Sequence, residues 1–452
     1  MRSADQAHRA NPAFEFCLPK VSALMSTTLP PSEAATSAFA DQVVRWQRCS
    51  GRHQLPWQNT SDAYRIWVSE VMLQQTQVRT VLGYYEGFLA RFPDVFALAN
   101  ANLDEVLSAW SGLGYYRRAR NLHACARYIV EVYKGEFPCD EKLLAALPGI
   151  GRSSAAAIAA FAFNRRAAIL DGNVKRVLAR VFALSLDTQS SKAIRTLWSL
   201  AEGLLPVSED MPAYTQGLMD LGATLCLVRK PRCGDCPVQS MCLAYKQGHP
   251  NAYPLAKVAK SLPLRQWMML WITDGDKLLL LRRPQQGIWA SMWSLPALED
   301  LPQVWLDQQA AIKAQFSQSE QRHKLACLMQ TRWRQDCGKL IPALAIDGKA
   351  CTTALAVLKA STEASLQADY WLDVEQSFTH FRLRAPVLRM GIASQNLDLD
   401  DDKRACEPPA AYEKHRAQES ELQSLWIKLE DALELGIPSA LRKLLKTALA
   451  SS

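Results

Sequence analysis

Four cysteines crowd one short stretch of the chain. Cys226, Cys233, Cys236 and Cys242 follow the spacing C-x6-C-x2-C-x5-C, and three cations, Arg229, Lys230 and Arg232, fill the first gap. Four thiolates close a coordination site completely, and on clustering alone a structural zinc ion is favoured over an iron–sulfur cluster by about two to one. A closed site has no open ligand position, so its work is to hold a loop. Two carboxyls carry a different chemistry. In IWVSEVMLQQTQV, Glu70 shares a helical face with Ile66, Trp67, Leu73 and Gln74. Largely apolar surroundings raise a carboxyl pKa and keep a proton available, as a general acid needs. Asp171, in LDGNVKRVLAR, follows the apolar run AAIL and has the place of a helix N-cap. The positive end of that helix favours its ionised form. One carboxyl set to donate and one set to stay charged form a pair suited to acid-assisted bond cleavage.

A third stretch, LPGIGRSSAAAIAAFA, binds rather than reacts. Gly149 and Gly151 bracket a tight turn between two helical patterns. Glycines let a backbone approach a phosphate, and the next helix offers free N–H donors. These residues need a scaffold, and the pattern supplies one. Residues 38–248 show apolar residues at three-four spacing almost throughout, which predicts an all-helical module. Residues 249–263 carry Pro, Gly and Lys and read as a linker. From residue 264 to 452 the texture changes: WMMLWITDGDKLLLLRR is two apolar runs joined at Asp274-Gly275, a hairpin signal, and SFTHFRLRAPVLRM reads as one further strand. The chain closes with the helical PSALRKLLKTALA. The fold class expected is therefore multidomain, an all-α module followed by a smaller α/β domain.

Bulk properties agree. The 452 residues exceed one domain, 49% are hydrophobic, and the net charge of +8 mildly favours a polyanionic partner. No apolar run approaches a membrane span. Residues 1–37 lack periodicity and read as a disordered leader, with Met25 as an alternative start. The eight cysteines outside the cluster and the lack of a secretory signal suit a reducing compartment.

The cysteine spacing, placed directly after a helical module, resembles the [4Fe–4S] loop of the endonuclease III superfamily of DNA glycosylases. The turn at Gly149 and Gly151 looks like that superfamily's helix-hairpin-helix motif, over residues 143–162. SEVMLQQTQV, LDGNVKRVLAR, LPWQ and GLGYYRRARNLH resemble MutY-type adenine DNA glycosylases more narrowly. The resemblance implies one [4Fe–4S] cluster on the loop 226–242, with Arg229, Lys230 and Arg232 held toward DNA phosphates. It implies that Asp171 is catalytic, with Asn173 orienting it, that Glu70 protonates a flipped adenine, and that Trp67 lines the adenine pocket. Gln75 and Tyr115 correspond to residues that wedge into the duplex. Lys175 suits a phosphate contact, Ser153 in the hairpin is a further DNA contact, and Arg117, Arg118 and Arg120 are candidates for others. Bifunctional members carry a lysine where Ser153 stands, so strand-cleaving Schiff-base chemistry is not expected.

The C-terminal stretch KLLLLRRPQQGIWASMWSLP resembles the MutT-like domain of the same family. Its Nudix-type catalytic box is missing after Pro296, where ALEDLPQVWLDQQAAIK has no carboxylate cluster. Recognition replaces hydrolysis in this reading. Phe378, Thr379 and His380 match the family's element that reads the oxidised guanine, with Thr379 keeping the hydroxyl. Residues 348–367 and 398–418 look like insertions without a function assigned. The implied partner is duplex DNA with A:8-oxoguanine or A:G mispairs, bound by a monomer in the bacterial cytoplasm, at the nucleoid. Three rivals are a bifunctional glycosylase/lyase, a Nudix hydrolase with a DNA-binding module, and a non-catalytic iron–sulfur protein.

Overall fold

Helix follows helix through the first half of the chain. In order they are α1 (Glu33–Ser50), α2 (Ala63–Leu73), α3 (Val78–Leu82), α4 (Tyr85–Arg91), α5 (Val95–Asn100), α6 (Leu103–Ala109), α7 (Arg117–Tyr133), α8 (Glu141–Ala145), α9 (Arg152–Phe163), α10 (Gly172–Val181), α11 (Ser191–Gly203), α12 (Met211–Asp220) and α13 (Leu243–Lys246). The computed structural model describes residues 33–188, 190–255, 261–301, 303–315, 317–344, 368–392 and 424–450. Met25, most of the expected leader and both insertions lie outside these. α1 begins at Glu33, inside the residues expected as a leader.

Local chemistry sets the helix ends. Asp62 accepts from Tyr64 N at 2.9 Å and starts α2, and Asn102 with Glu105 forms a capping box on α6. Six consecutive small or branched residues of α9, Ala155 to Ala160, are buried, and their low profile lets α9 lie against α2. That contact brings the Glu70 helix to the hairpin.

The second half is a mixed sheet with helices. Strands β1 (Leu264–Gln266) and β2 (Met268–Asp274) run in succession parallel to β7 (Arg382–Ile392). β3 (Lys277–Arg282) returns antiparallel to β2 through the expected hairpin, whose Gly275 has φ +58. β3 also pairs with β8 (Ser424–Lys428) and the short β4 (Trp293–Ser294), while β5 (Ala297–Leu298) pairs with β2. β6 (Ala368–Ser377) pairs antiparallel with β7. Helices α14 (Gln303–Gln315), α15 (Gln318–Leu344) and α16 (Ser439–Leu449) complete the domain. One expectation is corrected here. SFTHFRLRAPVLRM is not one strand: β6 ends at Ser377 and β7 begins at Arg382. Phe378 N donates to Phe381 O at 2.8 Å and the two rings stack at 4.5 Å, which closes a tight turn without glycine or proline.

The halves share a seam. Arg282 binds the Asp104 carboxylate through two bonds of 2.9 and 2.7 Å. Ser111 Oγ donates to Ile437 O at 2.9 Å, and Tyr116 Oη lies 3.1 Å from Ser439 Oγ. Gly436 sits so close to α6 that a Cβ there would lie 2.6 Å from Leu107 Cβ. Buried residues of both halves belong to one continuous apolar cluster.

Candidate active site and cysteine-lined cavity

Asp171 caps α10 as its sequence position suggests. Its Oδ1 accepts from Val174 N at 2.8 Å and its Oδ2 from Asn173 Nδ2 at 3.3 Å. Asn173 is itself held, since its Oδ1 accepts from Arg176 Nη2 at 2.9 Å. The same guanidinium donates to Gly222 O at 2.7 Å and Cys226 O at 2.8 Å. Gly222 lies in a π-helical turn over Leu221–Leu225, and a Cβ there would lie 2.5 Å from Asn173 Cβ. Ser153 has a role the sequence did not suggest: its Oγ accepts from Leu170 N at 3.0 Å, tying α9 to the residue before Asp171.

Glu70 lies in α2 and is only partly exposed as a residue, but its carboxyl is enclosed by protein. Desolvation, with the Asp171 charge second, pushes its pKa up to about 8. The structure therefore brings the two carboxyls into electrostatic contact and keeps a proton on Glu70 at neutral pH. Trp67 is 0% exposed, with its ring 5.4 Å from Phe137 and 6.1 Å from Tyr64, and it packs in the core on the helix that carries Glu70.

Gln75 and Tyr115 are both exposed, and both hold left-handed backbone, at φ +59 and +50. Such geometry costs a non-glycine residue on the order of 1–3 kcal/mol and persists only when neighbours enforce it. Arg118 is the enforcer. Its Nη1 donates to Val71 O, Met72 O and Gln74 O at 2.9, 2.7 and 2.6 Å. Its Nη2 donates to Thr76 Oγ1 at 2.9 Å and Gly114 O at 3.2 Å. One guanidinium thus fastens the carbonyls immediately before both exposed residues. The reading of Arg118 as a phosphate ligand is corrected, because it is buried and both its terminal nitrogens are committed to carbonyls and Thr76. Arg120 is corrected likewise: its Nη1 donates to Ala290 O at 2.7 Å, across the seam. Arg117 remains exposed.

The hairpin is formed by α8, a turn, and α9. Gly149 has φ +79, and a Cβ there would lie 2.5 Å from Asn121 Cβ, so only glycine fits. Gly151 is the N-cap of α9 with no side-chain cap bond, and nothing lies within 4 Å of where its Cβ would be. The space beside Gly151, at the start of α9, is therefore open. Lys175 is partly exposed on α10.

Cys226, Cys233, Cys236 and Cys242 are unpaired thiols lining one small cavity of about 20 Å³. Burial, with the charges of Cys226, Cys242 and Cys233 added and a backbone bond to Val238 opposing, pushes Cys236 up to about 12. Burial thus favours the neutral thiol, and a bound metal centre is what would draw such a group to thiolate. Among the described residues no group of three or more His, Cys, Asp or Glu closes as a metal-ion site. The four thiols share one cavity instead. Buried Arg180 frames it, donating to Cys226 Sγ at 3.3 Å, Leu227 O at 2.6 Å and Val228 O at 3.1 Å. Arg229, Lys230 and Arg232 are exposed at the loop surface, and Arg232 pairs with Asp235 at 2.7 Å.

In the second half, Thr379 and His380 are exposed at the β6–β7 turn, while Phe378 is half-buried, its ring 6.3 Å from Trp289.

Comparison with known proteins agrees with this architecture. Residues 68–202 match the family described as HhH-GPD superfamily base excision DNA repair protein, and residues 267–447 match a NUDIX domain. The chain is 37% identical over 270 residues to the adenine DNA glycosylase of Buchnera aphidicola subsp. Acyrthosiphon pisum (strain APS), covering 59% of this chain and 77% of that one. Against the Mus musculus adenine DNA glycosylase it is 36% identical, over 59% of this chain and 61% of that one. A solved thermostable thymine-DNA glycosylase superposes with a TM-score of 0.44 at 28% identity, covering 47% of this chain and 98% of that one. Among the described residues no helix is long and apolar enough to cross a membrane. The chain belongs to the adenine DNA glycosylase family, enzymes of base excision DNA repair.

Proposed function

We propose that this glycosylase is monofunctional and releases adenine mispaired with 8-oxoguanine or guanine, after turning the adenine out of the duplex. The observation that carries the reading is the pair Glu70 and Asp171. A carboxyl held protonated to about pH 8 sits beside one whose oxygens accept from Val174 and Asn173. Glu70 donates its proton to the purine. The bond between the sugar C1′ and the base nitrogen breaks, and its electron pair leaves with the adenine. The Asp171 carboxylate stabilises the sugar cation, as the second carboxylate does in glycoside hydrolysis. Water adds at C1′, its proton returns to Glu70, and an abasic site remains. Extrusion of the base is required because a stacked purine is out of reach of either carboxyl. With a hydroxyl at Ser153, no amine stands there to attack the sugar.

The four cysteines fit a [4Fe–4S] cluster. Cys226, Cys233, Cys236 and Cys242 would hold it, and it would supply structural cross-linking of the loop. Arg176 and Arg180 fasten that loop to α10, the helix that Asp171 caps. Gln75 and Tyr115 enter the duplex as wedges. Gly149, Gly151, Lys175, Arg229, Lys230 and Arg232 meet phosphates. Phe378, Thr379 and His380 read the base opposite adenine, where 8-oxoguanine offers a C8 carbonyl and an N7–H. The enzyme acts as a monomer at cytoplasmic DNA. The test is incubation with duplexes carrying A:8-oxoguanine, A:G and thymine glycol, with and without alkali. Release of adenine with strand breakage only after alkali is expected. Breakage without alkali, or preference for thymine glycol, refutes the reading.

A further inference from the structure

The lesion-reading turn and the wedge Tyr115 belong to different domains, yet a short run of contacts joins them. On the C-terminal side the segment around Trp289 is tightly constrained. Gly287, Trp289 and Ser291 have φ of +95, +54 and +61. Ser291 N donates to Pro284 O at 2.9 Å and Met292 N to Trp289 O at 3.0 Å. The Trp289 ring is buried, lying 5.7 Å edge-on from Trp267 and 6.3 Å from Phe378. Phe378 in turn stacks on Phe381 and closes the turn that exposes Thr379 and His380. Between Trp289 and Ser291 is Ala290, whose carbonyl accepts from Arg120 Nη1 at 2.7 Å.

Arg120 stands in the first turn of α7. Two residues before it, Arg118 fastens the carbonyls that precede Gln75 and Tyr115. The guanidinium of Arg120 is half-buried and, by desolvation and then the charge of Arg117, its pKa is lowered. A cation removed from water and spent on one neutral carbonyl is poorly explained as a solvated surface charge or as a free phosphate ligand.

We propose that Arg120 is a specificity-determining positioning residue. It holds the Trp289 segment, and through it the Phe378 turn, at a fixed offset from the start of α7, which directly follows Tyr115 and its neighbour Tyr116. The identity of the base opposite adenine then bears on the wedge and so on adenine release. This rests on the reading of residues 378–380 as the contact to the partner base.

The test uses the full-length enzyme and single-turnover adenine release from A:8-oxoguanine and A:G duplexes. Arg120→Ala is expected to lower the ratio of the two rates by about tenfold, a usual size for coupling between sites, while the A:G rate stays near wild type. Arg120→Gln, which keeps an N–H donor and drops the charge, recovers part of the ratio. Adding His380→Ala to Arg120→Ala costs less of the ratio than His380→Ala does alone, because the two act through one path. Melting temperatures of each variant separate this from loss of fold, and Arg120→Gln serves if Arg120→Ala does not fold. Equal slowing on both duplexes, or full additivity with His380→Ala, overturns the inference. If Thr379→Ala and His380→Ala lower the ratio but neither Arg120 variant does, the lesion-turn reading stands and this inference alone falls. If Thr379→Ala and His380→Ala leave the ratio unchanged, both fall.

Discussion

Glu70 illustrates how one side chain links stability to chemistry. Its ordinary pKa of 4.5 rises to about 8 in the fold. The folded state therefore binds this proton more tightly than the unfolded chain does. The stability so gained is full below about pH 4.5 and is lost as pH climbs through 8. Glu70→Gln removes the titration. It is expected to melt higher than wild type near pH 9, by roughly 3–5 kcal/mol at the limit set by 1.36 kcal/mol per pKa unit, and to match it near pH 4. Adenine release depends on the same proton: the wild-type single-turnover rate falls above about pH 8, and Glu70→Gln or Asp171→Asn loses orders of magnitude while mismatch binding survives. A variant that releases adenine at a near-normal rate has its residue misassigned. Arg118 is a contrasting residue, structural though charged. Arg118→Met leaves the carbonyls of Val71, Met72 and Gln74 without their donor, and a loss of about 3–5 kcal/mol in chemical denaturation is expected. An unchanged midpoint would mean that water replaces the guanidinium at no cost.

At the scale of elements, what was legible in the sequence is what is local. Asp171 could be placed because an N-cap needs only its own next three residues, and Glu70 because a helical face repeats within four. The hairpin at Gly275 and the turn at Gly149 announce themselves through glycine. Arg118 could not be read, since GLGYYRRARNLH shows cations on a helix and not the carbonyls of residues 71–74 that they meet 44 to 47 positions away. The Phe378 turn was missed for another reason. It is closed by a pair of stacked rings, and FTHF between strands alternates like a strand. The cysteine loop makes a prediction at this scale. Arg229 and Lys230 are exposed while Arg232 is paired with Asp235. Neutralising Arg229 and Lys230 together should reduce the slope of log affinity against log salt by about 2, with Arg232→Ala adding less. A slope that does not move would separate the loop from the phosphates. Replacing Cys236 by Ser is expected to abolish brown colour and iron content, and to loosen the Arg176 and Arg180 contacts that steady α10. Stoichiometric zinc in the anaerobically purified wild type would sink the cluster assignment.

At the scale of the molecule, discrimination requires that two surfaces meet one base pair from opposite strands. Thr379→Ala with His380→Ala should lower the preference for 8-oxoguanine over guanine by about 1–3 kcal/mol, read as the ratio of binding or release on the two duplexes. Equal weakening on both would reduce this domain to a general DNA anchor. Cutting the chain after Leu262 tests the same point, but it uncovers Leu107, which is fully buried against the second half, so the fragment should also melt lower. The seam has a further consequence for a nicked protein. Tyr253 is anchored to the first half by Arg180, and β1 begins at Leu264 in the second. A protease that cuts between these two points breaks the covalent path but leaves the Asp104–Arg282 pair, the Ser111–Ile437 bond and the common apolar cluster intact. The two fragments should then elute together from a sizing column and part only in denaturant.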